Sequence, residues 1–423
     1  MIIFLDSIGC RLNISELEQT ARLMQVAGWE VTDSPQQADL ILINTCTVTA
    51  KAGADSRQKI RQANRLSQAP IIVTGCWATL EPEQAARLPG VAAVISNNDK
   101  DSLVEKLLQT GRPGNSEVAA WLANHQPRRL RTRSFIKIQD GCNNHCAYCI
   151  TTIARGPSRS RLQQAILDEI HAAEQEGVKE IVLSGVHLGM WGKDLGPGNN
   201  LTTLLEFILH HTDIPRIHLS SLEPWGLPEG LFQLWKDPRL VKHLHMPLQS
   251  GSAEVLRRME RHVSPEAYVA LGAEIRAVIP DLALTTDLIA GFPGETAEDH
   301  QASMDIVRTL QFAGGHVFPY SERPGTSAAS MNHPVHHADR KARAASLRVL
   351  LQQSSIRFRT AFLNTIQPAL WIQEKNGRLQ GITTNDIKVF MQGPASLINT
   401  IQSVRLDKLE GSGISATPLP EME

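Results

Sequence analysis

The stretch FIKIQDGCNNHCAYCI, residues 135–150, decides how this chain is read. It opens with a short apolar strand signal at 135–139, and Cys142, Cys146 and Cys149 follow in C-x3-C-x2-C spacing. Three thiolates so close in sequence can wrap one metal centre, and the loop leaving the carboxyl end of a barrel strand is where such folds place chemistry. Closed ferredoxin-type clusters take four protein thiolates. Three thiolates on a [4Fe-4S] cluster would leave one iron open to a substrate or cofactor. The alternative for the same loop is a structural zinc completed by His145, because three cysteines and a histidine are a common zinc set. That alternative leaves the other cysteines of the chain unexplained.

Working outward, further strand signals at 181–184, 217–220, 244–248, 284–289 and 316–320 alternate with helical stretches, the last of them a basic one at 338–362. Six βα units predict an open, partial TIM-like barrel over residues 128–363. Upstream, strands at 2–5, 40–43, 71–74 and 92–95 alternate with amphipathic stretches such as 15–27, which predicts a doubly wound parallel α/β domain over 1–111. Residues 112–127 mix Pro, Gly, Asn and Ser around Trp121 and read as a linker. From 364 to 423 the pattern turns to short strands (370–373, 379–383, 387–391, 401–409) separated by turn residues, as in a small five-stranded β-barrel.

The remaining cysteines, Cys10, Cys46 and Cys76, match no local metal motif. Each lies just past the end of a predicted strand of the first domain. In a parallel sheet with right-handed crossovers the carboxyl ends of the strands share one edge, so three loops would bring three thiols together. Three unrelated buried cysteines, each acting as a small apolar residue, are the competing explanation.

Composition narrows the rest. The 423 residues carry 42 basic against 43 acidic side chains, with 42% hydrophobic and 20% charged residues, which excludes a disordered tail protein and gives no global field for nucleic acid. No apolar run approaches the ~20 residues of a spanning helix, and the start MIIFLDSIGC lacks the basic region of a signal peptide. No membrane partner and a cytoplasmic location are expected. Six cysteines are too few for a disulfide scaffold of this length and point to metal or catalysis. Locally the balance is different: Arg128, Arg129, Arg131, Arg133, Lys137, Arg155, Arg159 and Arg161 face Asp140 alone between residues 127 and 161, a net of +7. The seven arginines are the candidate RNA-binding rim, with a solvated charged linker as the plainer explanation.

The chain resembles the radical S-adenosylmethionine (SAM) methylthiotransferases. IQDGCNNHCAYCI looks like the radical-SAM motif, and GCRLNISELE, NTCTVTAKA and VTGCWA look like the three cysteine signatures of the family's first domain. SGVHLGMWGKDL, LSSLEP, HLHMPLQSGS, TTDLIAGFPGET and HVFPYSERPGT recur in family order, and the last domain is similar to the RNA-binding TRAM barrel. The resemblance implies a radical SAM core, with Cys142, Cys146 and Cys149 holding one [4Fe-4S] cluster and Cys10, Cys46 and Cys76 an auxiliary one. It places Tyr148 near the adenine of SAM and Gly185 and His187 near its amino group. Ser221, Glu223, Gln249 and Ser250 fall toward its ribose and methionine portions. SAM would serve as radical source and as methyl donor.

Arg11, Asn13 and Lys51 beside the cysteines, with HLGMWGKDL, resemble the branch that acts on threonylcarbamoyladenosine at position 37 of tRNA. The chain differs from that branch at Thr151, Thr152 and Ile153, where isoleucine, proline and tyrosine are usual. The implied partners are a tRNA anticodon loop, an electron donor and a sulfur source. Isopentenyladenosine in tRNA and a ribosomal-protein aspartate are the alternative substrates within the family, and a zinc-containing RNA-binding protein is the alternative outside it.

Overall fold

The computed structural model describes residues 1–109 and 131–419. The expected linker, Trp121, Arg128 and Arg129 lie outside them. The first five strands, β1 (Ile2–Ser7), β2 (Glu30–Thr32), β3 (Leu40–Thr45), β4 (Ile71–Gly75) and β5 (Val91–Ile95), form one parallel sheet in the order β2-β1-β3-β4-β5. β3 and β4 are buried along their whole length, which is why they read as unbroken apolar runs. β2 was not among the expected strands: three residues on a sheet edge are too short to show a period. The chain leaves β1 through helix α1 (Arg11–Val26) to β2, then returns across β1 to β3. The order therefore reverses between β1 and β3, and open sheets of this kind hold ligands in the crevice beyond the carboxyl ends at that switch. Cys10 and Cys46 follow those two strands.

The second unit has β6 (Ser134–Lys137), β7 (Glu180–Ser184), β8 (Arg216–Leu219), β9 (His243–His245), β10 (Ala283–Ala290) and β11 (Gly314–Pro319). Parallel ladders join β6, β7 and β8, and separately β9, β10 and β11. Parallel bridges at Ile217 with Leu240 and Ser221 with His245 connect the two halves, so the six strands follow chain order as an open barrel. Its core, which includes Ile136, Ile181, Leu183, Ile217, Leu244 and Leu284, packs under the surrounding helices. The long helix His337–Thr360 turns several of its arginines onto backbone oxygens and not outward. Arg348 donates to Val317 O and Arg359 to Gly411 O and Gly413 O.

The chain ends in a closed barrel of β12 (Ile366–Lys375), β13 (Arg378–Thr383), β14 (Lys388–Gln392), β15 (Ile401–Glu410) and β16 (Gly413–Pro418). The last strand, not separately expected, closes it by pairing with both β15 and β14. Trp371 fills the interior, and Gly381 is required beside it because a Cβ there would stand 2.7 Å from the indole. This barrel is fastened to the larger one. Arg216 pairs with Glu180 at 2.9 Å and donates to Ile382 O and Thr383 O at 3.0 and 2.8 Å. Asp386, in the β13–β14 turn, thereby reaches the mouth of the central barrel. Among the described residues no helix is long and apolar enough to cross a membrane.

Candidate active site

The loop leaving β6 is shaped by its own residues before it meets any cofactor. Gln139 and Asp140 pair with Ser160 and Arg159 in a short antiparallel ribbon that closes the loop into a hoop. Gln139 Nε2 donates to Asp140 O and Gly141 O at 2.9 and 2.7 Å, while its Oε1 accepts the N–H groups of Val186 and His187 at 3.0 and 2.9 Å. One side chain thus ties the cysteine loop to the loop after β7, and nothing in the local spacing had singled it out. Gly141 adopts φ +68°, and a Cβ there would lie 1.9 Å from Pro157 O.

Cys142 Sγ accepts the Asn144 N–H and Cys149 Sγ the Thr151 N–H, both at 3.4 Å. Backbone donors of this kind stabilise sulfur carrying negative charge and tune iron–sulfur potentials. Burial pushes the Cys146 thiol up to about 11 and raises Cys142 too, so proton loss there needs a metal to replace the proton.

A polar cleft continues from these thiols. Glu223, whose carboxyl is raised by burial, pairs with Arg261 at 2.8 Å, and the Arg261 guanidinium lies 4.3 Å from the Trp225 ring. Trp225 meets His187 edge-on at 6.2 Å. Burial pulls His187 down to about 4, so it is neutral at pH 7, and both of its ring nitrogens are buried without a partner among the described residues. Orphaned buried polar atoms are rare in finished structures and suit a polar ligand. Tyr148 packs on the apolar cluster of Ala147, Val255 and Phe292, with its hydroxyl 3.5 Å from Arg261. The donor set and the orphaned imidazole fit a cluster and SAM. Gln249 is held with φ +77° by backbone bonds to Asp287 and Ile289. The Ser250 hydroxyl instead accepts the Ser252 N–H at 3.2 Å and lies 3.5 Å from Ser303 Oγ, which turns it into a local brace.

A cavity of about 470 Å³ lies where the three units meet. Cys10, Cys46 and Cys76 form one wall, and Gly185 and Ser221 stand at the opposite strand ends. The three loops approach closely: Gly9 has φ +115°, and a Cβ there would stand 2.7 Å from Cys46 Sγ. Cys76 Sγ accepts from Asn97 Nδ2 at 3.7 Å, and burial pushes Cys46 up to about 11. Among the described residues no three His, Cys, Asp or Glu side chains converge tightly enough to hold a single metal ion.

The barrel side of the cavity carries a row of imidazoles that the sequence analysis did not single out as site residues. His218 Nε2 lies 2.8 Å from His243 Nδ1, and His243 and His245 both lie 3.0 Å from Thr285 Oγ1. Asp287 closes the row at 3.3 Å from His245 and 3.2 Å from His316. Burial would raise Asp287, but hydrogen bonds from these two histidines hold it below the usual carboxylate range. The signal was present in the sequence as HLH on a strand whose period of two turns both histidines to one face.

The expected basic rim needs correction. Arg155 is buried, its guanidinium 2.9 Å from both Glu16 Oε1 and Asp140 Oδ1 and 2.7 Å from Asn13 Oδ1. Arg131 pairs with Glu18 at 3.6 Å, Arg133 with Glu180 at 3.3 Å and Arg161 with Glu169 at 2.6 Å. Of the described members Arg159 alone is exposed without an ion pair among the described residues. Four of the five described arginines of this segment are paired with carboxylates from distant elements.

Residues 2–96 match the model described as Uncharacterized protein family UPF0004, and residues 136–307 match the Radical SAM superfamily. The chain is 33% identical to the Threonylcarbamoyladenosine tRNA methylthiotransferase MtaB of Bacillus subtilis over 95% of this chain and 93% of that one. With the protein of the same name from Thermotoga maritima it shares 33% identity over 97% and 95% of the two chains. It is 30% identical to the tRNA-2-methylthio-N(6)-dimethylallyladenosine synthase of Maricaulis maris, over 98% and 96%. Among solved structures, the radical S-adenosylmethionine methyltransferase TsrM of Kitasatospora setae shares the fold at TM-score 0.58 and 15% identity, covering 78% of this chain and 77% of that one.

Proposed function

Because this chain belongs to the radical SAM methylthiotransferase family, a family of transferase enzymes, we propose that it adds a methylthio group to C2 of threonylcarbamoyladenosine at position 37 of tRNA. The observation that carries the reading is the shared cavity, with three cysteines of the first sheet on one wall and the strand ends of the radical SAM barrel on the other. In this reading Cys142, Cys146 and Cys149 hold one [4Fe-4S] cluster, and Cys10, Cys46 and Cys76 hold a second. When bound, the clusters and SAM supply the radical and the methylthio unit that an unactivated aromatic C–H bond demands.

The chain's own residues bind and orient. Arg261 and Glu223, a charge pair beside the cysteine loop, take the carboxylate and ammonium of SAM, and neutral His187 accepts or donates one hydrogen bond in the same cleft. Tyr148 covers the adenine, and Gly185, Ser221 and Gln249 leave room at the strand ends. Ser250 supports that turn from behind. The units correspond to residues 1–111, 128–363 and 364–423, the last acting as a TRAM-like RNA-binding barrel. The anticodon loop would enter along the side carrying Arg159, its target base splayed into the cavity. A sulfur source, an electron donor and a reducing cytoplasm are needed to run the reaction. Mass spectrometry of tRNA nucleosides from cells lacking the gene tests this: loss of 2-methylthio-threonylcarbamoyladenosine is expected. Loss of only the isopentenyl derivative, or of only a ribosomal-protein modification, would overturn it.

A further inference from the structure

Arg11 follows Cys10 directly and lines the same cavity, facing the barrel mouth. Among the described residues its side chain makes no hydrogen bond and no ion pair, although the charges acting on it are those of Asp386, Arg133 and Glu180. The other basic side chains nearby are already engaged. Arg155 is held by Glu16, Asp140 and Asn13, and Arg133 by Glu180. His218 and His243 are bonded to each other, and His245 and His316 to Asp287. A half-buried guanidinium that faces a cavity with no protein partner among the described residues is free to take an anionic ligand. Its planar fork matches a carboxylate bidentately.

Resting on the function proposed above, we propose that Arg11 binds the carboxylate of the threonylcarbamoyl group and so selects a base that carries a negative side chain. The geometry of a purine supports the placement. C2 and the N6-bearing C6 are both bonded to N1, so a group on N6 lies beside the carbon that receives sulfur. A residue that reads that group can then reach it from the side of the sulfur-delivering cysteines, where Arg11 follows Cys10. The cavity, about 470 Å³, is within the range of sites that enclose a ligand of this size. Asp386 enters from the small barrel at the same mouth, 3.8 Å from His243.

The test uses the reconstituted full-length protein and three anticodon stem-loop RNAs, carrying adenosine, threonylcarbamoyladenosine, or the methyl ester of the latter. The wild-type protein should bind the acid about tenfold more tightly than the uncharged ester, as expected for one charged hydrogen-bonded contact. Arg11→Gln should bring acid and ester to within about twofold, and Arg11→Lys should keep part of the preference. Equal weakening toward all three RNAs would make Arg11 a backbone-phosphate contact and overturn the proposal. So would an unsubstituted protein that binds acid and ester equally, a comparison that requires no variant to fold. Failure of the underlying function is distinguishable, because the wild type would then leave threonylcarbamoyladenosine-containing tRNA unmodified.

Discussion

Arg155 donates to Glu16 Oε1 at 2.9 Å, a buried ion pair between helix α1 of the first sheet and the short helix Thr151–Arg155 that follows the second cysteine set. The same guanidinium reaches Asp140 in the cysteine loop and Asn13, three residues past Cys10. One side chain therefore sets the distance between the two cysteine sites. Lys100 adds to the network at 2.5 Å from Glu16, and Lys137 at 3.4 Å from Asp140.

Removing that guanidinium leaves two buried carboxylates partly unpaired. Arg155→Met should lower folding stability by about 3 kcal/mol, toward the low end for a broken buried pair because Lys100 and Lys137 remain. Arg155→Lys should restore little, since one ammonium does not span Asn13, Glu16 and Asp140 together. Chemical denaturation of the apoprotein measures both.

The two cysteine sets should fail differently. Cys146→Ala is expected to abolish formation of 5′-deoxyadenosine from SAM, whereas Cys46→Ala should retain it and lose methylthiolation of tRNA. Methylthiolation persisting in Cys46→Ala, with loss of its cluster verified by iron analysis, would end the two-cluster account.

Gly141 offers a backbone test of the same division. With φ +68° and Pro157 O 1.9 Å from any Cβ, Gly141→Ala must shift the loop that presents Cys142. Iron bound after anaerobic reconstitution should drop from about eight toward about four per chain, the first-domain cluster being spared.

Glu18 supplies a pH dependence. Burial raises its carboxyl from 4.5 to about 7, against the Phe135 N–H that it accepts. The folded protein thus holds a proton that the unfolded chain releases, so this group's stabilisation is complete below about pH 4.5, declines as pH rises and is lost above about 7. The span is worth up to ~3 kcal/mol. Glu18→Gln should flatten the fall in melting temperature between pH 5 and pH 8 and exceed the wild type at pH 8.

Some of this protein was determined by sequence alone. Contiguous residues carry the C-x3-C-x2-C loop, the strand before it, the buried runs of β3 and β4 and the placement of each remaining cysteine after a strand, because period and spacing are local properties. The short edge strand β2 and the closing strand β16 were not separable, since their pairing comes from distant neighbours and not from a pattern of their own. Only the tertiary structure decided the electrostatics. Glu16, Glu18, Glu169 and Glu180 come from elements far along the chain to pair with arginines of a segment that counts as +7 by itself, and Coulomb energy depends on distance in space. The same convergence leaves Arg11 facing the cavity without an ion pair among the described residues, a distinction invisible where every arginine is simply one more positive charge.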